Sequence, residues 1–313
     1  MTVNANQASI RRVVAGVDGS QSALHAALWA AEEAESRGVP LLLEHALHLP
    51  EAVAAPFEPD DFCARRQTAG GVLLEAMAAQ IRERHPGLVV ETEASLLSPI
   101  HRLVELSADE ALIVTGTRGH GGFAGMLLGS VSRALATHAH GPLVVVRGPQ
   151  PEQASGTVLL GVGPTSAESA VAFAFAAART YGTSLRVLRV WQPPMPMATL
   201  GLPGSEAFAL AGPGPLVMPQ ARDDDEGQAA DAARTIAPVR RQYPDVEVEI
   251  TARAGNVVPA LTAASAGTRL IVIGAHRHRG PFAVGAGYAV EGLLANTPVP
   301  VAVIPVHQAG EER

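Results

Sequence analysis

Residues 112–146, LIVTGTRGHGGFAGMLLGSVSRALATHAHGPLVVV, decide the fold. Leu112 to Thr115 is a short apolar run with β-branched residues that stops at Gly116, the pattern of a buried strand in a parallel sheet. Gly116, Gly119, Gly121, Gly122 and Gly125 then make a loop almost bare of side-chain bulk, whose backbone N–H groups can approach an anion closely. Gly129 and Ser130 open a segment, Val131 to His138, in which Val131, Ala134 and Leu135 recur at helical spacing. The first N–H groups of a helix have no partner within it, and the helix dipole adds partial positive charge there. Strand, glycine loop and helix start together therefore predict an anion site, to which Ser130 adds a hydroxyl. A lone glycine-rich loop would be read as a connector. Here a preceding strand and a following helix agree with it.

Outward from this stretch the chain alternates strands and helices. Val13 to Val17 predicts a first strand, ending in Asp18, Gly19 and Ser20, a loop and helix-cap sequence. Ser22 to Ser36 is an amphipathic helix, Val39 to His45 a second strand, and Thr68 to Arg84 a helix after a stretch broken by Pro50, Pro56 and Pro59. Leu88 to Ala94, Ile100 to Ala108 and Leu143 to Val146 add a strand, a helix and a fifth strand. The order then repeats. Leu112, Ile113, Val114, Gly116 and Pro142 correspond to Leu270, Ile271, Val272, Gly274 and Pro300, and Pro86 to Pro244, while Val13 to Val17 matches Val158 to Val162. The second half holds its extra residues in Pro193 to Ala221, whose seven prolines and four glycines predict a long mobile loop. The predicted organisation is a disordered start at 1–10, a first unit at 11–148, a linker at 149–155, a second unit at 156–307 and a tail at 308–313. The fold class is α/β: parallel sheets with helices on both faces and right-handed crossovers.

Composition excludes several functions. The 313 residues suffice for two domains, and 47% hydrophobic against 17% charged residues fits compact α/β units. A net charge of -7 argues against nucleic acid and anionic membranes as partners. Lysine is absent, all 23 basic residues being arginine, which excludes a lysine-bearing phosphate loop and Schiff-base chemistry. Cys63 stands alone, so no intrachain disulfide forms. The start MTVNANQASIRR is not a signal peptide and no apolar run reaches a membrane span, so the expected location is cytoplasmic.

The spacing Gly116, two residues, Gly119, nine residues, Gly129, Ser130 resembles the ATP-binding signature of universal stress proteins, and VVAGVDGS at 13–20 resembles their opening. Both halves look like such domains, so the chain resembles a tandem universal stress protein over nearly its full length. The resemblance implies two tandem Rossmann-like domains, each a five-stranded parallel sheet of order 3-2-1-4-5. Ligands in such sheets bind beyond the carboxyl ends of strands where the order reverses, which brings Asp18 and Gly116 to one crevice. It implies ATP as the ligand, with Mg2+ as an optional companion. It also implies that Asp18 contacts the adenosine, that Gly16 lets the ligand approach, and that Gly116, Thr117, Arg118, Gly119, Gly129, Ser130 and Val131 wrap ribose and phosphates. Homodimers through edge strands and a stress-response role come from the same resemblance. A competing role for Asp18 is capping the first helix, and for Arg118 a solvated loop charge.

The second half departs from the pattern. Gly163 replaces the aspartate, Arg277 the second motif glycine and Tyr288 the motif serine, although Gly161, Gly274, Gly280 and Gly287 remain. This predicts a weakened second pocket. In the first half, Leu97 stands where the second has Gly255. The weaker candidates are His276 and His278 between Arg277 and Arg279, His45 and His48 near the crevice, His25 on the first helix, and the run Asp223 to Glu226. The acidic run reads as a solvated loop before a helix starting near Gln228 rather than a calcium site. Besides ATP-dependent regulation, two functions stay open: a slow ATP hydrolase or nucleotidyl transferase, and an interaction module without nucleotide. No evident general base and no paired carboxylates beyond Asp18 speak against the first, and the intact glycine motif against the second.

Overall fold

A computed structural model describes residues 10–47, 59–119, 128–150, 156–163, 166–193, 221–276 and 287–306. The first half runs β1 (Arg12–Gly16), α1 (Gln21–Arg37), β2 (Leu41–Ala46), α2 (Pro59–Arg84), β3 (Val90–Ser95), α3 (Pro99–Leu106), β4 (Ala111–Gly116), α4 (Ser130–His138) and β5 (Leu143–Val146). The second repeats the order as β6 (Thr157–Val162), α5 (Glu168–Tyr181), β7 (Leu185–Trp191), α6 (Ala221–Arg240), β8 (Val248–Ala254), α7 (Val257–Ala264), β9 (Thr268–His276), α8 (Tyr288–Asn296) and β10 (Val301–Val306). Each half has the expected order, 3-2-1-4-5, and its strands are parallel. The two sheets are not separate, however. Strand β5 pairs antiparallel with β10, Val301 opposite Val145 and Val303 opposite Leu143, so ten strands form one sheet, β3-β2-β1-β4-β5-β10-β9-β6-β7-β8.

Helices α1, α2, α5 and α6 cover one face and α3, α4, α7 and α8 the other, and a hydrophobic cluster lies under each layer and runs through both halves. The strands are apolar on both sides for this reason; β4 and β5 are buried at every position. On its inner face α1 carries Ala23, Ala27, Ala30 and Ala34, small side chains that let it lie close to β1 and β4. It starts at Ser20, whose hydroxyl accepts from the Ala23 N–H, and it stops at Gly38, in the left-handed region at φ 66°.

Two element starts differ from the sequence reading. Helix α2 begins at Pro59 rather than Thr68, because a proline in the first turn removes a donor that had no partner there anyway. Helix α6 begins at Ala221 rather than near Gln228, so Asp223 to Glu226 form its first turns instead of a solvated loop, at the dipole's positive end. The predicted tails at 1–10 and 308–313, the linker at 149–155 and the loop at 193–221 fall mostly or wholly outside the described residues. So do Gly121, Gly122, Gly125, His48, Arg277, His278, Arg279 and Gly280.

Candidate functional site

The carboxyl ends of β1, β2 and β4 open into a cavity of about 420 Å³ between α3 and the start of α4. This is the point where strand order reverses, since β1 lies between β2 and β4 while the chain leaves it in both directions along the sheet. Of the nine residues proposed from sequence, Gly16, Asp18, Gly116, Arg118, Gly119, Gly129, Ser130 and Val131 line the cavity. Thr117 does not. It is buried beside it, its N–H donating to the Val146 carbonyl at 3.2 Å and its carbonyl accepting from Gly129 N–H at 2.7 Å, so its backbone ties the loop to β5 and α4.

The glycines have local steric reasons. A Cβ on Gly116 would lie 2.7 Å from the Ser22 carbonyl oxygen, a backbone atom of α1 that cannot swing away. On Gly119 it would collide with the Asp18 carboxylate, and on Gly129 it would press on the Thr117 carbonyl at 3.3 Å. The chain leaving β4, from Gly116 to Gly119, is therefore packed onto the start of α1, with the Arg118 N–H 3.4 Å from the Ser22 hydroxyl. Ser132, in the first turn of α4, is buried and donates to the Gly116 carbonyl at 2.7 Å, which holds α4 against the strand end.

Asp18 is half-buried, and its Oδ1 accepts from the Ser20 N–H at 3.0 Å. The cap of α1 is Ser20, not Asp18; the aspartate fixes the turn before it, an Asx-turn. Helix α4 starts differently from its neighbours. Helices α1 and α3 have serine hydroxyls, Ser20 and Ser98, over their first N–H groups, whereas Gly129 gives α4 no side-chain cap. The uncapped amino end of α4 faces the cavity through Gly129, Ser130 and Val131, the arrangement that favours an anion.

Sequence reading missed Glu44, which also lines this cavity and is 1% exposed. Its Oε1 accepts from the Ser95 hydroxyl at 2.6 Å, while Oε2 lies 3.7 Å from Arg102 Nε. Burial pushes its carboxyl above the usual range, and the Glu93 charge adds to this, against the lowering by Ser95 and Arg102. A glutamate directly after the apolar run LLL, within a strand buried at its first four positions, was the available signal. His45 is occupied structurally, its Nδ1 2.7 Å from the Val17 carbonyl. His25 faces Gln21 at 3.5 Å. Asp225 accepts from the Trp191 indole at 2.6 Å. Among the described residues no group of three or more His, Cys, Asp or Glu is placed to hold a metal, and no helix is long and apolar enough to cross a membrane.

The second half builds the same corner differently. Gly287, at the start of α8, has φ 90° where Gly129 has φ −71°, and Tyr288 is 82% exposed. A Cβ on Gly274 would meet only side-chain carbons at 3.4 and 3.6 Å, so no helix backbone presses on it. Gly255 sits at φ 141°; among the described residues Glu110 is the one non-glycine with positive φ, so Leu97 makes the matching turn with an ordinary backbone.

Comparison with known proteins agrees with this duplication. The model of the universal stress protein family matches residues 9–147 and again 155–305. A universal stress protein of Mycobacterium tuberculosis (strain ATCC 25618 / H37Rv) is 31% identical over 306 residues, covering 93% of this chain and 95% of that protein. A second from the same strain is 29% identical over 301 residues, covering 93% and 96%. In shape, the chain is similar to the crystal structure of a universal stress protein from Archaeoglobus fulgidus DSM 4304, with a TM-score of 0.65 at 17% identity, covering 94% and 96%.

Proposed function

The chain belongs to the universal stress protein family, and from that premise we propose that it is an ATP-dependent regulatory protein of the cytoplasm whose nucleotide sits in the first-half cavity. One observation carries the reading: Gly116, Gly119 and the uncapped start of α4 converge with Asp18 on a single cavity of about 420 Å³, within the range of small-ligand sites. Phosphates would lie against the backbone amides of Gly119, Gly129, Ser130 and Val131, with Arg118 supplying charge. Gly16 gives the ribose room at the end of β1, and Asp18 accepts from its hydroxyls. Thr117 contributes through its backbone ties. Asp18 is also the acid through which Mg2+ would be met.

ATP is held mainly by the unit at 11–148. The unit at 156–307 has Gly163, Tyr288 and Leu188 where the first has Asp18, Ser130 and Glu44, so it lacks the acid, the hydroxyl and the buried carboxylate. Its role on this reading is packing and partner contact. The homodimer that the family resemblance implies is left to β3, β8 and the flanking helices, because β5 and β10 are spent on each other; sedimentation of the intact chain checks it. Turnover is not part of this reading, in which the Asp18 carboxylate beside Gly119 accepts from the ribose hydroxyls rather than activating a nucleophile.

The test is nucleotide binding by Gly119→Ala and Asp18→Ala. The added methyl of Gly119→Ala meets the far end of a short side chain and not backbone, so the fold is retained. ATP affinity should fall at least about tenfold in each, the loss of roughly one hydrogen bond to a charged group. Unchanged affinity by calorimetry, with circular dichroism intact, rejects the site.

A further inference from the structure

We propose that Glu44 reads the base of the bound nucleotide, accepting a hydrogen bond from the exocyclic amine of adenine, and so makes the first-half cavity prefer adenine to oxo-purines. The proposal rests on the ATP-binding reading above and adds to it the residue that chooses the base.

Position is the first argument. Strands β4, β1 and β2 are consecutive in the sheet, and strands lie about 4.8 Å apart, so the end of β2 is about 10 Å from the end of β4 along the rim. An anion held at the β4 loop and the start of α4 therefore has the Gly16–Asp18 corner next to it and Glu44, in register with Gly16, beyond that. A nucleotide laid along this line puts phosphate, ribose and base over β4, β1 and β2 in turn. Glu44 is on the same sheet face as Leu42, which shares a cluster with Leu103 of α3, a residue that also lines the cavity.

The second argument is the state of the carboxylate. Ser95 occupies Oε1, while Oε2 is buried with no hydrogen-bond partner among the described residues. Arg102 gives its terminal nitrogens to Glu93 at 2.7 Å and Glu105 at 3.1 Å, and its Nε, itself buried without a hydrogen-bond partner, meets Oε2 only as an ion pair at 3.7 Å, beyond hydrogen-bond distance. Buried polar atoms are normally paired, and one that lines a cavity is satisfied by what enters it. A ligand N–H at Oε2 favours the charged carboxylate and so offsets the desolvation that raises this carboxyl.

Chemistry then selects the base. Guanine offers two adjacent donors, which suit a carboxylate with both oxygens open. Here Ser95 has taken one oxygen, leaving a single acceptor for a single amine. Hypoxanthine carries a carbonyl oxygen where adenine has its amine, so it would set acceptor against acceptor. The second half supplies the control. Val13 is opposite Leu41 and Val158 opposite Leu185, which aligns Glu44 with Leu188, itself buried in the same kind of position. The fold thus already accommodates leucine there.

The experiment is calorimetric titration of the intact chain with ATP, ITP and GTP, for the wild type, Glu44→Leu and Glu44→Gln. The wild type should bind ATP at least about tenfold tighter than ITP or GTP, about 1.4 kcal/mol. Glu44→Leu should reduce that ratio to within about threefold. Glu44→Gln, which can turn an amide N–H towards a carbonyl, should shift the ratio towards ITP while keeping the volume, and it serves if the leucine variant does not fold. Wild-type preference unchanged in both folded variants overturns the role of Glu44 and leaves ATP binding standing. A wild type that binds none of the three nucleotides overturns both.

Discussion

A carboxylate held out of water is a liability unless something uses it, and Glu44 can be followed by its titration alone. Burial, then the Glu93 charge, raise its carboxyl above the value it has in the unfolded chain, more than the Ser95 hydroxyl and Arg102 lower it. Between the unfolded and folded values the native state holds a proton that the unfolded state has released, so stability falls as pH rises through that window. Below the unfolded value both states are protonated and the effect is absent. Glu44→Gln removes the titrating group and leaves Arg102 its ion pairs with Glu93 and Glu105. In differential scanning calorimetry without nucleotide, the variant's thermal midpoint should gain on the wild type as pH rises above the ordinary glutamate value of 4.5. A constant difference would mean that this carboxyl is not raised. Saturating ATP should narrow the gap at neutral pH, because ligand binding stabilises the form with Oε2 satisfied. A site residue that destabilises the empty protein is the expected exchange between stability and function.

At the scale of the element, two aligned glycines separate a steric requirement from an inherited one. Gly116 ends β4 against the backbone of Ser22, 2.7 Å from where a Cβ would be, whereas Gly274 within β9 would place its Cβ at ordinary contact distance from Val306 and Ala170. Gly116→Ala should therefore destabilise by about 1–3 kcal/mol, as overpacking does. Gly274→Ala should be neutral or stabilise by up to about 1 kcal/mol, through the unfolded chain. Urea denaturation measures both, and equal losses would show that α5 presses on β9 as α1 presses on β4. This contrast also marks what sequence can convey. The repeat was legible because it rests on periodicity, the strand order came with the family resemblance, and eight of the nine residues proposed from sequence line the cavity because glycine spacing and the end of the first strand mark them. Ser22, Ser95, Ser132 and Glu44 were not, since their partners are set by which strands and helices become neighbours. The start of α2 is hidden in sequence because Pro59 marks equally a break or a first helical turn, where proline is at home. The first turns of α6 are hidden for a different reason: four consecutive charges show no apolar period, although they sit at the dipole end that favours them.

For the whole molecule, the seam decides whether two units behave as one. Beyond the β5–β10 pairing, Arg147 donates to the Leu294 and Ala295 carbonyls at 3.1 and 2.7 Å, closing the carboxyl end of α8 with a cation from the first half. On the opposite face, Glu33 of α1 is 1% exposed and receives the Tyr181 hydroxyl of α5 at 2.5 Å on one oxygen and Arg37 Nε at 2.5 Å on the other, with Arg269 stacked 4.0 Å from the Tyr181 ring centroid. Burial and the neighbouring Glu33 charge raise the phenol well above its usual range, so it stays a donor at all physiological pH. Because both hydrophobic clusters also cross the seam, the halves should unfold together. Tyr181→Phe removes one partner of a buried carboxylate, a loss of about 1–3 kcal/mol. In scanning calorimetry the chain should show a single transition with equal calorimetric and van't Hoff enthalpies, and the variant should shift all of it down by roughly 1.5–4.5 °C. Two separable transitions, with only one displaced, would mean that the ten strands form a continuous sheet without forming one cooperative body. Nucleotide in the first half would then have no thermodynamic route to the second, and a regulatory signal would have to leave through the first-half surface alone.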